Sequence, residues 1–350
     1  AYTNNVKLTT TSASIFNGLN MTGTGSIDMN SAVTNQDYDS ISLDGDFTFK
    51  VSSPSFAPSL DSTGGAQQYS IDDGITLTCG TSSKVSGQNF NKSDGSTGTG
   101  NIVLTQLDNN INLSNISTPI TITNAVTQNS FSTSPAALGT GTLTLDGTLG
   151  TTAAIVTTKT IDGSGSLSVT GVESQLDGSN KLNSDFGNIT TSTVTATLNT
   201  SGGNLELSSS ADLGDFVVTL SGGSNTLTAH ASATLPSGTG KFTVSSGNTL
   251  QLTAVHANTI IMDGAGNVTI TELNGDLDTD LSNITTTGTL LVQTSADIVN
   301  ASPFTGNFPA EAFTLGGAGT HSIHIDNTSS GITTAKTLTV ANDTTIFIPA

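Results

Sequence analysis

The chain has 350 residues, of which 34% are apolar, 10% charged and 5% aromatic, with no Trp and a net charge of −19. All eight basic residues are Lys, which excludes a basic phosphate-binding patch and with it a nucleic-acid partner, and counts against an anionic membrane surface. The one cysteine, Cys79, excludes an intrachain disulfide, and no apolar run reaches the roughly 18 residues that a membrane-spanning helix needs.

In chain order, one phrase keeps returning: GTGSIDMN at 23–30, GTGNIVLT at 98–105, GTGTLTLD at 139–146, GSGSLSVT at 163–170, GTGKFTVS at 238–245, GAGNVTIT at 264–271 and a looser GAGTHSIHI at 317–325. Each is Gly-x-Gly, a small or polar residue, then apolar residues separated by a polar one. That pattern predicts a tight turn leading into a short half-buried strand. The second glycines fall at 25, 100, 141, 165, 240, 266 and 319, and all but one of the intervals lie near multiples of about 25. From 194 onward further short strands start at 194, 205, 217, 227, 242, 250, 260 and 268; alternate strands among those from 194 to 250 recur every 22–25 residues. No stretch of ten residues has a helical period.

A fixed period of this length predicts an all-β fold, a parallel β-helix or β-solenoid with about 22–26 residues per coil, running as one elongated domain over 1–350. One coil cannot bury its own apolar row; stacking does so. The alternative is a set of tandem β-sandwich domains, which also place strands every 8–12 residues. The period and the scarcity of aromatic residues favour the solenoid. A longer unit surrounds the phrase: 100–123, 165–198 and 266–292 each run from a Gly-led strand through an Asp/Asn-rich connection to a segment such as FGNITT or LSNITT.

Three segments interrupt the pattern and are expected as protruding loops: 53–74, 80–100 and 301–313. The first and last combine Pro with aromatics. Pro54, Phe56, Phe304, Phe308 and Phe313 are therefore the candidate contacts with a neighbouring subunit, the competing reading being loops packed on their own body. The chain starts with Ala and shows no signal-like apolar region, so the expectation is a removed leader or a piece of a longer protein.

Catalytic signals are weak. G-x-S-x-G is absent, and His321 and His324 are spaced to fall on opposite faces of a strand. Paired carboxylates come without the aromatic platforms of a polysaccharide-cutting solenoid. The chain is read as a non-enzyme, with a tailspike-like glycan hydrolase as the third-ranked alternative. Calcium is the candidate cofactor, since it takes six to eight oxygen ligands from carboxylates, amides and carbonyls. Asp72 and Asp73, and the row Asp276, Asp278 and Asp280, are the candidate ligands; solvated turn aspartates are the competing reading.

The segments SLSVTGVESQLDGSNKLNS and NITTSTVTATLNTSGGNLELSSS resemble the repetitive β-solenoid regions of bacterial S-layer proteins and, less closely, the passengers of autotransporter and two-partner adhesins. The resemblance is carried by residues 100–300 and brings no active site with it. It implies a secreted, extracellular protein at the cell surface that assembles with copies of itself into a layer or filament. The adhesin alternative implies a host or cell-surface glycan as ligand.

Overall fold

A computed structural model describes residues 141–273 and 279–294 without a break. It also describes 21–23, 27–29, 41–43, 47–51, 68–71, 76–79, 89–91, 100–104, 119–122, 306–309, 311–316, 321–324, 337–342 and 344–347, and the bridge residues Leu113, Ile116 and Leu138. The fold is a parallel β-solenoid. The strand registers from Met21–Gly23 to Thr344–Phe347 are parallel, and the antiparallel contact among the isolated bridges of the described residues is Leu176 to Leu182. A β-sandwich, which is built from antiparallel pairs, is thereby ruled out.

The chain divides into two compact units, 1–168 with 188–193, and 169–187 with 194–350. In the first unit, strands Thr76–Cys79, Asn101–Leu104, Ile120–Ile122, Leu143–Leu145 and Ile161–Asp162 lie in that order in one sheet. Ile102, Ile120, Leu143 and Ile161 form one continuous row across it, and Ile161 bridges on to Ile189. All five are at most 5% exposed. A second sheet of this unit stacks Ile27–Met29, Phe47–Val51, Gln68–Ile71 and Asn89–Asn91. Two of these rungs, Gln68–Ile71 and Asn89–Asn91, fall inside segments expected as loops. Their apolar signal is one or two residues long, too short to stand out beside Pro and Gly.

In the second unit one sheet holds Thr193–Asn199, Val217–Ser221, Lys241–Val244 and Met262–Gly264. Ala196 pairs with Val218, Val218 with Phe242, Phe242 with Met262 and Met262 with Ile284, so equivalent positions lie 22, 24, 20 and 22 residues apart. A seven-stranded sheet runs Leu205–Leu207, Thr226–Ala229, Thr249–Thr253, Asn267–Leu273, Leu290–Thr294, Phe313–Leu315 and Leu338–Val340. Along the longer strands burial alternates, as in Val218 and Leu220 against Thr219 and Ser221. Inward Val, Ile and Leu build the core, each contributing about 1.5–3 kcal/mol when fully buried. Outward Thr satisfies the β-branched preference of a pleated surface.

The corners explain the repeated phrase. Gly163 and Gly264 have φ of 112° and 108° and sit over the backbone of Leu145 and Val244 in the coil before, where any Cβ would collide. The amide of Gly165 then donates to the Leu145 carbonyl at 2.6 Å, and that of Gly266 to the Val244 carbonyl at 2.7 Å. Asp162 accepts from the Thr144 hydroxyl and Asp263 from the Thr243 hydroxyl, both at 2.7 Å. The likeness extends upstream: one-turn helices Ala153–Val156 and Ala254–Ala257 occupy matching places, each followed by a threonine at positive φ, Thr158 and Thr259.

Candidate functional site

Aspartate recurs at one corner of the second unit. Asp185 bridges Asp212, and Asp212 bridges Thr234; further along, Asp280 bridges Asn307, and the Asp280 amide donates to the Asn258 side chain at 2.8 Å. The local sequences are SDFG, ADLG and TDLS. Each aspartate folds back on the amide two residues on: Gly187 donates to Asp185 Oδ1 at 3.2 Å, Gly214 to Asp212 Oδ1 at 2.9 Å, and Ser282 to Asp280 Oδ1 at 2.9 Å. This is the side-chain turn that Asp favours over regular structure. The apolar residue after each aspartate, Phe186, Leu213 or Leu281, is fully buried. Phe186 stacks on Phe216 with centroids 4.8 Å apart.

Of the five candidate calcium ligands, Asp280 is described; Asp72, Asp73, Asp276 and Asp278 lie outside the described residues. Asp280 Oδ1 also accepts from the Ser282 hydroxyl at 2.6 Å. That hydroxyl bond, followed by the Ser282 amide and the Asn307 side chain, holds the carboxyl below the usual carboxylate range against the opposing effect of burial. Its observed role is to cap a corner. Among the described residues, no three His, Cys, Asp or Glu side chains converge as a metal group would require. The strand His321–His324 pairs in register with Thr344–Phe347.

Of the candidate subunit contacts, Pro54, Phe56 and Phe304 lie outside the described residues. Phe308 and Phe313 are 1% and 8% exposed and stack on one another with centroids 5.4 Å apart. Their rings are spent on the chain's own interior, not presented to a neighbour. The reason is volume: a solenoid core is the place where a large ring can leave water, and Asn307 anchors the preceding backbone on the Asp280 coil.

Sequence reading did not find how the charges are distributed. In the seven-stranded sheet, Thr228, Gln251, Thr269, Leu291 and Thr314 form one outward row in register. From Thr226–Ala229 to Phe313–Leu315, the strands of this sheet carry one charged side chain, Glu272, which sits at a left-handed irregularity near its strand end. The other described carboxylates of this unit are Glu206, in register with Thr228 at the first rung and paired with Lys181 at 2.7 Å; Asp263, on the other sheet and paired with Lys241 at 2.5 Å; Asp185, Asp212 and Asp280, which line the turn corner; and Glu173, Asp177, Asp215 and Glu311, which lie outside the strands. The signal available in sequence was the T-x-T and T-L-Q-L-T spacing of these strands.

No family model, curated protein or solved structure matches the chain. Among the described residues, no helix is long and apolar enough to cross a membrane.

Proposed function

We propose that the chain is a secreted, non-catalytic structural protein that assembles with copies of itself into an extracellular surface layer or filament, as S-layer proteins do. The observation that carries this reading is how its polar groups are used. Asp185, Asp212 and Asp280 cap corners, and hydroxyls and amides tie coil to coil. Thr200, fully buried, donates to Asn248 across two coils at 2.6 Å. Such side chains serve a repeating framework, and a framework of stacked coils suits a load-bearing, tiling subunit. Calcium is the proposed counter-ion: a chain of net charge −19 repels its copies until a cation screens it.

Negative-stain electron microscopy of the purified chain tests the reading, with calcium present and then with a chelator. Ordered arrays or filaments that dissolve on chelation are expected. Single particles under both conditions overturn self-assembly and leave the adhesin alternative, to be pursued by binding to cell-surface glycans.

A further inference from the structure

We infer that the outer face of the seven-stranded sheet is a self-docking surface that receives the same face of a second copy of this chain. The inference rests on the self-assembling reading above and names the surface that would do it. Two copies that each carry a net charge of −19 can approach closely only where neither presents a carboxylate. The row Thr228, Gln251, Thr269, Leu291 and Thr314 is such a place; Glu206, paired with Lys181, ends it beyond Thr228, and Glu272 is set at its margin. Leu291 is the fourth residue of this row and alternates outward between buried Leu290 and Val292. Its neighbours are mainly threonines, whose methyl groups pack flat and whose hydroxyls hydrogen-bond across the gap.

Size sets the character of the contact. Rungs about 4.8 Å apart and about 3.3 Å per residue give the six rungs beyond Glu206, three to seven residues long, a face of roughly 24 by 15 Å, near 360 Å² on each partner. That total of roughly 700 Å² is below a standard specific interface, so each contact is weak and reversible. Weak contacts repeated many times are what an ordered layer requires. Because the face pairs with its own copy, the contact is two-fold and closes at a dimer, with sheets packed about 10 Å apart; a layer joins such dimers through a second, different contact. From Thr226–Ala229 to Phe313–Leu315 the strands offer no outward aromatic ring and no cation to orient a glycan, which favours a second copy as occupant.

Sedimentation velocity over a range of concentrations tests this in 0.5 M salt, where residual repulsion is screened, with circular dichroism as the check on folding. Thr269→Glu places a charge at the centre of the face; Thr219→Glu places one on the other sheet. The expected result is reversible association of the wild-type chain, weakened at least about tenfold by Thr269→Glu and unchanged by Thr219→Glu. In a Cys79→Ser background, Gln251→Cys should form interchain disulfide dimers and Thr219→Cys should not. Equal association of the two Glu variants, or equal cross-linking of the two Cys variants, overturns the assignment of this face. Should arrays persist by microscopy in Thr269→Glu, the layer reading stands and this face is wrong. A wild-type chain monomeric in both assays refutes both.

Discussion

Replacing Gly264 by Ala should break the solenoid locally, at a cost that the corner geometry sets. Gly264 pairs with Val244 in the coil before it. Its φ is 108°, and a Cβ would overlap the Val244 carbonyl oxygen and lie 2.8 Å from the Val244 amide nitrogen. Both obstacles are backbone, so neither can swing aside. The Gly266 amide and the Thr243–Asp263 hydrogen bond hold the same corner, which prevents the strand from simply lifting. Forcing a sparsely populated backbone conformation costs about 1–3 kcal/mol. Overpacking adds about 1–3 kcal/mol more. The expected loss is therefore about 2–6 kcal/mol, read as a lower urea midpoint by far-UV circular dichroism. Gly202→Ala is the control, because a Cβ there meets nothing within 4 Å and the backbone angle is ordinary. It should be neutral or stabilising by about 0.4–1 kcal/mol through the unfolded chain. Hydrogen exchange on Gly264→Ala should localise the damage to the 241–264 coil and its neighbours, as nearest-neighbour stacking requires. Equal midpoints for the two variants would refute the requirement for glycine at this corner.

Phe242→Ala should cost about 3–5 kcal/mol, since the ring is fully buried between Val218 and Met262 in a row that cannot collapse without shifting coils; chemical denaturation measures it. Thr200→Val keeps the shape but leaves Asn248 Oδ1 without its hydroxyl donor in the core, for a loss of about 1–3 kcal/mol by the same assay. Asp280 predicts a pH dependence. Its folded pKa is lowered, so the stability it contributes is present above the unfolded carboxylate value and is lost as pH falls through the lower folded value. Asp280→Asn retains an oxygen for the Ser282 amide and removes that titration. The acid limb of the stability curve should then be shallower in the variant, and identical limbs would contradict the assignment.

The rungs were legible because alternation survives in strands as short as three residues when a period repeats it. The expected coil of 22–26 residues agrees with the 22- and 24-residue steps from Ala196 through Val218 to Phe242. It overestimates the steps from Ile102 to Ile120 and from Leu250 to Val268, each 18 residues. The turn corner was harder to read. Asp185, Asp212 and Asp280 hold their coils through single bridges, and one paired residue has no alternation to reveal it. The aspartates were visible, but their local chemistry was not. Asp280, in a D-x-D-x-D run, suggested a ligand row; in the structure it caps the Ser282 amide and hydroxyl. Phe308 and Phe313 misled for a related reason. Pro and aromatics together suggest an exposed contact, yet the interior of a coil takes a ring wherever a bridge such as Asp280 to Asn307 brings the chain back.

The two closest copies of the phrase show where function can reside in such a molecule. Asp162 and Asp263, Gly163 and Gly264, and Thr158 and Thr259 adopt the same roles in coils that do not need to know of one another, because each coil answers only to its neighbours. What repeats is therefore the solution to stacking, and selection for stacking alone would preserve it. The differences are free to carry recognition. Asp263 is neutralised by Lys241, whereas the rung paired with Asp162 has Thr142 at the matching position. In the seven-stranded sheet the difference runs the other way: rung after rung keeps charge off its outer face, although stacking would tolerate an exposed Glu or Lys there, as Glu206 at the first rung demonstrates. A neutral face held over successive coils of an acidic chain is not required by the fold. On the self-docking proposal the second copy supplies that constraint, which is why the Thr269→Glu comparison probes function and the Gly264→Ala comparison probes architecture.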